Sequence, residues 1–350
     1  MASFVTGLPS PVRQLPLAGP DGAELWIKDD SAIGQLYGGN KLRKLQLILP
    51  HALSRGARRL VTVGAVGSHH VLATALLARG IGLPVTALLF PQPRSEHALG
   101  NLKASLHAGL DARPVSSLKA VPFALARLLK PGDYLIPAGG SGPVGSQGFY
   151  RAASELAGQV DEGVLPAPDV VVVPLGSGGT TAGLLAGLVA CELKCLVCAV
   201  DVAIGNRGSA LLVKGLANWL AARSNLEGAR TSLADQLWID HGYFGRGYGY
   251  DTPAGARARE TARSLGLELE VTYTSKAFAK ALELGRFPGY DPEAWPRRQA
   301  SDVFERLCAQ LRVSGRPLRV LYWHTLSRIH PPAPDELEVP SSLMKQFLPR

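Results

Sequence analysis

The sequence has little charge and little cysteine for its length. Only 19% of its 350 residues are charged whereas 46% are hydrophobic, which excludes a disordered chain and predicts a globular protein with a sizeable core. Four cysteines are too few for a disulfide framework in a chain of this size. The N-terminus also lacks the basic segment and apolar core of a signal peptide. We therefore expect the protein in the reducing cytoplasm.

An uninterrupted hydrophobic run that could cross a membrane is also missing. Residues 170–191 carry no formal charge, but Pro174 and the glycines that follow it interrupt them, so a buried strand, a loop and a helix explain this stretch better. The net charge of +9 comes from scattered cations that are not interleaved with aromatic residues. We therefore expect neither a membrane nor a nucleic acid as a partner, and the basic charge suits an anionic substrate or a cofactor phosphate.

Two groups of residues have the chemical character of metal ligands. Cys191, Cys195 and Cys198 have a spacing that resembles an iron–sulfur signature. In a predicted strand, however, positions 195 and 198 point to opposite faces, so we interpret these cysteines as small apolar fillers. The adjacent His69 and His70 also point apart, and the sequence offers no third ligand nearby. We expect no metal site.

Apolar strands and amphipathic helices alternate along the chain. The predicted strands are Arg59–Val63, Val85–Phe90, Tyr134–Ile136, Val170–Leu175 and Cys195–Val200. The predicted helices are Val71–Arg79, Glu96–His107, Leu118–Leu129, Gly148–Leu156 and Thr181–Leu193. A linker is predicted over 158–168. This alternation predicts two α/β domains with parallel sheets, and it places ligands at the carboxyl ends of the strands.

The stretch from Tyr37 to Leu45 contains the first candidate functional residue. Two glycines permit a tight turn, Asn40 is a good helix N-cap, and apolar residues then recur at helical spacing. Lys41 would therefore lie in the first helical turn, where the helix dipole and partial burial lower the pKa of an amine, as Schiff-base formation requires. The alternative is a surface helix whose three cations face water.

Two glycine-containing loops follow predicted strands. Gly176-Ser177-Gly178-Gly179-Thr180 comes between a buried strand and a helix, and such a loop can hold a phosphate with its backbone N–H groups. The alternative is a tight turn without a ligand. The segment from Gly64 to His70 places the hydroxyl of Ser68 and two imidazoles at the end of another strand. Both loops are therefore candidate parts of one site.

These motifs occur in the order found in a known family. The set comprises Gly38–Lys44, Gly100–Leu102, Ile136–Ser141, Gly176–Thr180, Gly245–Gly249, Tyr273–Ala277 and His324–Thr325. The chain resembles, from about Leu25 to Ser327, the pyridoxal 5′-phosphate (PLP) enzymes of the D-cysteine desulfhydrase and 1-aminocyclopropane-1-carboxylate (ACC) deaminase family. This resemblance implies the two-domain, open twisted parallel-sheet α/β architecture of PLP fold type II, which is similar to tryptophan synthase β. It further implies a large PLP-binding domain at 1–45 and 160–350, a small α/β domain at 46–159, and a homodimer.

The resemblance also implies residue roles. Lys41 would form the Schiff base with PLP and move the substrate α-proton, and Lys44 would face the cofactor. Ser68 would lie over the substrate as nucleophile, base or carboxylate anchor, assisted by Tyr248 and Tyr273. Further cofactor contacts are expected from His69, Gly176, Ser177, Gly178, Gly179, Thr180, Thr274 and Thr325, and further substrate contacts from His69 and His70.

Three positions depart from the family pattern. His69 stands where the family has an asparagine, and it could replace that hydrogen bond to the cofactor or act as an acid–base group near neutral pH. Gly67 stands where a glutamine is usual, which we expect to open space beside the substrate. Glu270 stands where an aspartate is usual.

Thr274 distinguishes between the two branches of the family. The deaminases have a glutamate there, which keeps the pyridine nitrogen protonated, whereas a hydroxyl leaves the ring a weaker electron sink. We therefore expect a PLP-dependent lyase that performs β-elimination on D-cysteine or a similar small amino acid. The products would be a keto acid, ammonia and the leaving group. The alternatives are deamination of a cyclic amino acid, β- or γ-replacement, racemisation, or a binding protein without turnover.

Overall fold

A computed structural model of the protein describes residues 5–205, 208–223, 233–288 and 302–349. The strands are β1 Val12–Ala18, β2 Glu24–Asp29, β3 Arg59–Ala65, β4 Val85–Phe90, β5 Gln92–Pro93, β6 Asp111–Pro114, β7 Asp133–Ile136, β8 Val170–Leu175, β9 Leu196–Asp201, β10 Leu237–Asp240, β11 Arg319–His324 and β12 Phe347–Leu348. The labelled helices are α1 Asn40–Ser54, α2 His69–Arg79, α3 Glu96–His107, α4 Val121–Leu128, α5 Pro143–Asp161, α6 Gly179–Ala190, α7 Gly208–Arg223, α8 Pro253–Ser264, α9 Thr274–Leu284, α10 Asp302–Ser314 and α11 Ser341–Met344.

The larger sheet has six strands in the order β1-β2-β11-β8-β9-β10. Only β1 runs antiparallel to its neighbour, and the four pairs from β2 to β10 are parallel. Strands β8 and β9 are buried along their whole length, as strands covered by helices on both faces must be. Cys195 and Cys198 lie in apolar clusters on opposite faces of this sheet, so their interpretation as core fillers is confirmed.

The smaller sheet has four parallel strands in the order β6-β4-β3-β7. Helices α1, α2 and α3 cover one face with residues such as Leu45, Leu72 and Leu102. The C-terminal segment returns to this sheet after it leaves β11. Leu343 joins the same apolar cluster, and β12 pairs with β5. None of the helices within the described ranges is long and apolar enough to cross a membrane.

Most predicted elements occur at or within a few residues of their predicted positions, but the predicted linker is partly wrong. Helix α5 extends over Pro143–Asp161 and therefore includes the first residues assigned to the linker. Near the start of this helix Gly148 lies against the backbone of Arg43, where a Cβ atom would clash. Small residues are needed here because α5 packs closely against α1 and α6.

A buried ion-pair network lies beneath α1. Arg43, 1% exposed, donates two hydrogen bonds of 2.8 Å to the Asp30 carboxylate and two of 3.0 Å to Glu155. Lys28 donates to Glu155 at 2.6 Å, and Trp323 Nε1 donates to Asp30 at 2.8 Å. Although burial opposes ionisation, Arg43 and Lys28 lower the pKa of Glu155 to about 2. This network joins α1 to β2, β11 and α5.

We expect Arg43→Met to lower the free energy of unfolding by about 3–5 kcal/mol, because it leaves two buried carboxylates short of a positive partner. Urea denaturation followed by circular dichroism measures the change. Arg127→Met, at an exposed position of α4, is the matched control and should change the value by less than about 0.5 kcal/mol. Equal stability of the two variants would contradict a structural role for the network.

Candidate active site

A cavity of about 270 Å³ lies where the carboxyl ends of β3, β8 and β11 meet. Its wall contains Lys41, Lys44, Ser68, His69, His70, Gly176, Ser177, Gly178, Thr180, Tyr248, Tyr273, Thr274 and Thr325. Gly179 lies between Gly178 and Thr180 in the chain and is the first residue of α6. The structure thus brings the residues predicted from separate motifs to one site, as expected for ligand-binding residues at the ends of parallel strands.

Lys41 lies in the first turn of α1, as predicted, but the predicted helix cap is wrong. Asn40 is itself helical, and the cap position is taken by Gly39 at φ 75°. Glycine is required there because it tolerates positive φ and because a Cβ atom would meet the backbone around Thr325. The Asn40 side chain instead reaches Thr180 Oγ1 at 3.4 Å.

The Lys41 amine has the properties of a nucleophile. Burial lowers its pKa to about 8, and this effect outweighs the opposing influence of Glu270. Its Nζ lies 5.8 Å from the centre of the Tyr273 ring, and within the described ranges no oxygen accepts a hydrogen bond from it. A substantial fraction of this amine is therefore neutral near pH 8 and free to react. The alternative of three solvent-facing cations is wrong, since Arg43 and Lys44 are each 1% exposed.

Two tyrosines form a hydrogen-bonded pair beside Lys41. The Tyr273 hydroxyl donates to that of Tyr248 at 2.9 Å, and their rings meet edge to face. Burial raises the pKa of Tyr248 to about 12 and that of Tyr273 well above its usual value, so both remain protonated phenols. Lys276 on α9 donates to the carbonyls of Phe244 and Gly247, which ties the loop of Tyr248 to the helix that follows Tyr273.

The glycine loop and Lys44 surround a common point at the start of α6. Ser141 Oγ lies 2.7 Å from Ser177 Oγ and accepts hydrogen bonds from Gly179 N at 3.0 Å and Lys44 Nζ at 3.2 Å. Gly178 adopts φ 87°, which turns the chain into the helix. Burial and the neighbouring Lys41 lower the pKa of Lys44, and an anion would oppose this effect. The N-terminus of α6, the hydroxyls of Ser141 and Ser177 and the amine of Lys44 together form a site that suits a phosphate.

Thr274 is held by Glu270. The hydroxyl of Thr274 accepts from Glu270 N at 2.8 Å and lies 3.2 Å from Glu270 Oε1, while the same carboxylate accepts the N–H groups of Thr272, Tyr273 and Thr274. Glu270 thus takes the place of an N-cap for α9 and also lines the cavity. Glu270 thereby fixes Tyr273 and Thr274 at the cavity wall.

Ser68 and His70 lie at the start of α2. Ser68 is the N-cap of the helix and accepts from Val71 N at 3.4 Å. Thr62 donates its hydroxyl proton to Ile136 O, so it accepts from Nε2 of His70 at 3.0 Å, and His70 presents an unprotonated Nδ1. This Nδ1 has no partner among the described residues. Burial, Lys41 and Lys44 lower the pKa of His70, which keeps the ring neutral.

His69 lies between two other side chains. Its Nδ1 is 2.6 Å from the Tyr37 hydroxyl, and its Nε2 is 2.9 Å from Nε2 of His97 on α3. Burial, His97 and Lys41 lower the pKa of His69 well below its usual value, so the hypothesis of titration near neutral pH is wrong. The expected open space at Gly67 is also absent, because Ala98 of α3 fills it.

Residues 5–293 match the family described as pyridoxal-phosphate dependent enzyme. The chain belongs to this family. It is 36% identical over 293 residues to a D-cysteine desulfhydrase of Salmonella paratyphi A, covering 79% of this chain and 86% of the relative. It is 34% identical over 289 residues, with 79% and 84% covered, to a Pyrococcus abyssi protein that carries the name of an ACC deaminase.

Solved structures agree with the expected fold. The crystal structure of an ACC deaminase homologue superposes with a TM-score of 0.69 at 27% identity, covering 92% of this chain and 90% of the other. A hydrogen sulfide-producing enzyme from Fusobacterium nucleatum superposes with a TM-score of 0.59 at 14% identity, covering 91% and 93%, and supports the fold alone. The protein is a PLP-dependent enzyme of fold type II, and the recognition of its family and cofactor is confirmed.

The residues present fit PLP. The cavity has a buried reactive amine at Lys41, a phosphate-binding arrangement at the start of α6, and two polar atoms without partners in the described part of the chain, His70 Nδ1 and Thr181 Oγ1. Sequence reasoning missed Tyr37 and His97. Tyr37 was visible as the residue before the two glycines, but no local signal connected His97 to His69, which lies 28 positions earlier in the chain.

We expect borohydride reduction of the purified enzyme to attach PLP to Lys41, because its neutral, buried amine is the best nucleophile in the cavity. Peptide mapping identifies the modified residue. Lys41→Ala should lose the covalent link, whereas the exposed control Lys214→Ala should retain it. Attachment to Lys44 instead would refute this assignment.

The pKa of Lys41 predicts a pH dependence. In protein freed of PLP, competitive acetylation of Lys41 should rise with pH to a midpoint of about 8, since only the neutral amine reacts. The ordinary lysine value of about 10.4 serves as the reference. Mass spectrometry of the labelled peptides measures the midpoint. A midpoint for Lys41 at the ordinary lysine value would be inconsistent with a buried amine.

Proposed function

We propose that this enzyme is a carbon–sulfur lyase that converts D-cysteine, or a closely similar small α-amino acid, to a keto acid, ammonia and hydrogen sulfide with consumption of one water. The observation that carries the proposal is the buried amine of Lys41 beside the Tyr273–Tyr248 pair. A base and two protonated phenols then face the same cavity, which is what removal of an α-proton and departure of a thiolate require. The likeness to the Salmonella D-cysteine desulfhydrase supports this choice.

PLP, when bound, supplies an electron sink that stabilises negative charge at the α-carbon of an amino acid. Lys44, Ser177, Gly178, Gly179 and Thr180 would hold its phosphate, with Gly176 in the same loop. Thr274 and Thr325 would contact its ring, and Lys41 would hold it covalently.

The protein's own side chains supply the remaining steps. Lys41 would take the α-proton at Nζ. Ser68 and His70 Nδ1 bind the substrate on the side formed by α2. Tyr248 keeps its phenol proton available to the departing sulfur because burial keeps it un-ionised, and Tyr273, which donates its own proton to Tyr248, fixes its orientation.

One observation favours deamination of a cyclic amino acid as a second candidate. The Glu270 carboxylate lies 3.2 Å from the Thr274 hydroxyl, so a negative charge stands one hydrogen bond behind this residue. Such a charge would favour protonation of the pyridine nitrogen of PLP, which makes the cofactor a stronger electron sink. Product analysis with D-cysteine and with ACC separates the two candidates, because only the first releases sulfide.

We further propose a cytoplasmic homodimer that consists of a large domain at 1–45 and 160–350 and a small domain at 46–159. The residue ranges of the six-stranded and four-stranded sheets support the division. Leu118 and Phe123, 60% and 69% exposed, support self-association because large apolar side chains at a surface favour an interface. Light scattering measures the mass in solution.

We expect Tyr273→Phe to lower kcat for sulfide release from D-cysteine by about 10²-fold or more, because it removes the hydroxyl that orients the proton donor Tyr248. KM should change little. The control Tyr134→Phe removes a hydroxyl that contacts exposed His51 and should leave kcat unchanged. Colorimetric sulfide assays measure both variants. No sulfide from the wild-type enzyme, or an unchanged kcat in Tyr273→Phe, would count against the proposed reaction.

A further inference from the structure

Three side chains connect the cavity to the protein surface. Tyr37 and His69 line the cavity, whereas His97 does not line it and is partly exposed in the first turn of α3. The Tyr37 hydroxyl is 2.6 Å from His69 Nδ1, and His69 Nε2 is 2.9 Å from His97 Nε2. Both ring nitrogens of His69 are therefore occupied by groups that can each donate or accept a proton.

These contacts allow two arrangements of hydrogens. In the first, His97 Nε2–H donates to His69, His69 Nδ1–H donates to Tyr37, and the Tyr37 hydroxyl proton is free to point into the cavity. In the second, Tyr37 donates to His69 Nδ1, and His69 Nε2–H donates to His97. Each arrangement satisfies both hydrogen bonds, and the two differ by the shift of one proton at each link.

The surroundings of His69 favour a neutral ring in both arrangements. The titratable groups that act on it are Lys41 on α1, His97 on α3 and the Tyr37 hydroxyl, none of which is anionic. Burial, together with His97 and Lys41, lowers the pKa of His69, and burial with the charge of Glu270 raises that of Tyr37. A neutral imidazole between two partners can pass a proton from one nitrogen to the other without holding a charge.

We propose that Tyr37, His69 and His97 form a proton relay between the cavity and solvent during the lyase reaction. This inference rests on the proposed function. Tyr37 is the member that meets the reacting atoms. His69 and His97 act through it as positioning residues.

Each transfer in this relay balances. On the inward step His97 takes a proton from water at Nδ1 and passes its Nε2 proton to His69. His69 passes its Nδ1 proton to Tyr37, whose own hydroxyl proton enters the cavity and replaces the proton that Tyr248 gives to the departing sulfur. The outward step reverses each transfer and removes the proton that Lys41 took from the substrate. One inward and one outward step per turnover return all three side chains to their starting states.

A purely structural role makes different predictions. The His69–His97 contact could serve only to join α2 to α3. In that case any residue that restores packing should restore activity, and no exogenous base should substitute for the imidazole. In a relay, by contrast, the group at position 97 must both accept and donate a proton.

The first experiment is nuclear magnetic resonance of the holoenzyme labelled with ¹⁵N-histidine. We expect a scalar coupling between Nε2 of His69 and Nε2 of His97, because their hydrogen bond joins two nitrogen nuclei. We also expect fast hydrogen exchange between this proton and water. Absence of the coupling, or a proton at this position that exchanges slowly with water, would overturn the proposal without reference to activity.

The second experiment compares His97→Gln and His97→Ala with the control His51→Ala. His51 also pairs with a tyrosine hydroxyl, at 2.8 Å, but on the exposed surface. We expect His97→Gln, which keeps a hydrogen-bonding group but cannot pass a proton through, to lower kcat by about 10²-fold with KM nearly unchanged. Added imidazoles should rescue His97→Ala at a rate that depends on the pKa of the imidazole.

The outcomes separate this inference from the proposed function. An active wild-type enzyme whose His97 variants match His51→Ala would refute the relay and leave the lyase assignment intact. A rescue rate that does not depend on the pKa of the added imidazole would also refute the relay. A wild-type enzyme that releases no sulfide would refute the lyase assignment. The scalar coupling, and the exchange of the shared proton with water, would still test the hydrogen-bonded path itself.

Discussion

The ion pair between Arg43 and Asp30 fixes the position of the helix that carries the reactive amine. Lys41 and Lys44 are three residues apart and share the face of α1 that lines the cavity, whereas Arg43 leaves the helix on another side. The guanidinium points to the six-stranded sheet, where it is held by Asp30 and Glu155. Because every partner is buried, a shift of α1 would separate charges within the protein interior. The two lysines are thereby held at the cavity wall.

Burial then determines the protonation states around the cavity. It lowers the pKa values of Lys41, Lys44, His69 and His70 and raises those of Tyr37, Tyr248 and Tyr273. Each of these groups is pushed towards its neutral form. Neutral amines, imidazoles and phenols can exchange protons with one another because the protonated and deprotonated arrangements differ little in free energy. Fully charged groups in the same space would instead form ion pairs, which oppose proton transfer. The Glu270 carboxylate, which accepts the N–H groups of Thr272, Tyr273 and Thr274, faces the same cavity.

Local patterns were sufficient for the parts of the fold that depend on local interactions. The boundaries of β4, β8 and α3 match the predicted ones because apolar periodicity and flanking loops determine them. The cap at Asn40, the length of α5 and the space at Gly67 were predicted wrongly. In each case a distant segment decides the outcome: the chain at Thr325, helix α1 and Ala98 respectively. The same reason explains why His97 was missed, since nothing in residues 96–107 indicates contact with His69.

The pairing of β2 with β11 has a consequence for the order in which the protein is made. Residues 59–136, which form the four-stranded sheet, leave the ribosome as one continuous segment and can pair early. Strand β2 must wait for β11, almost 300 residues later in the chain, and β5 must wait for β12 at the C-terminal end. Such long-range pairings are slow to form because a large loop must close first. During synthesis β2 can pair with β1 early but lacks its second neighbour β11 until nearly the whole chain has emerged, and a truncated product cannot complete the wall formed by Thr325.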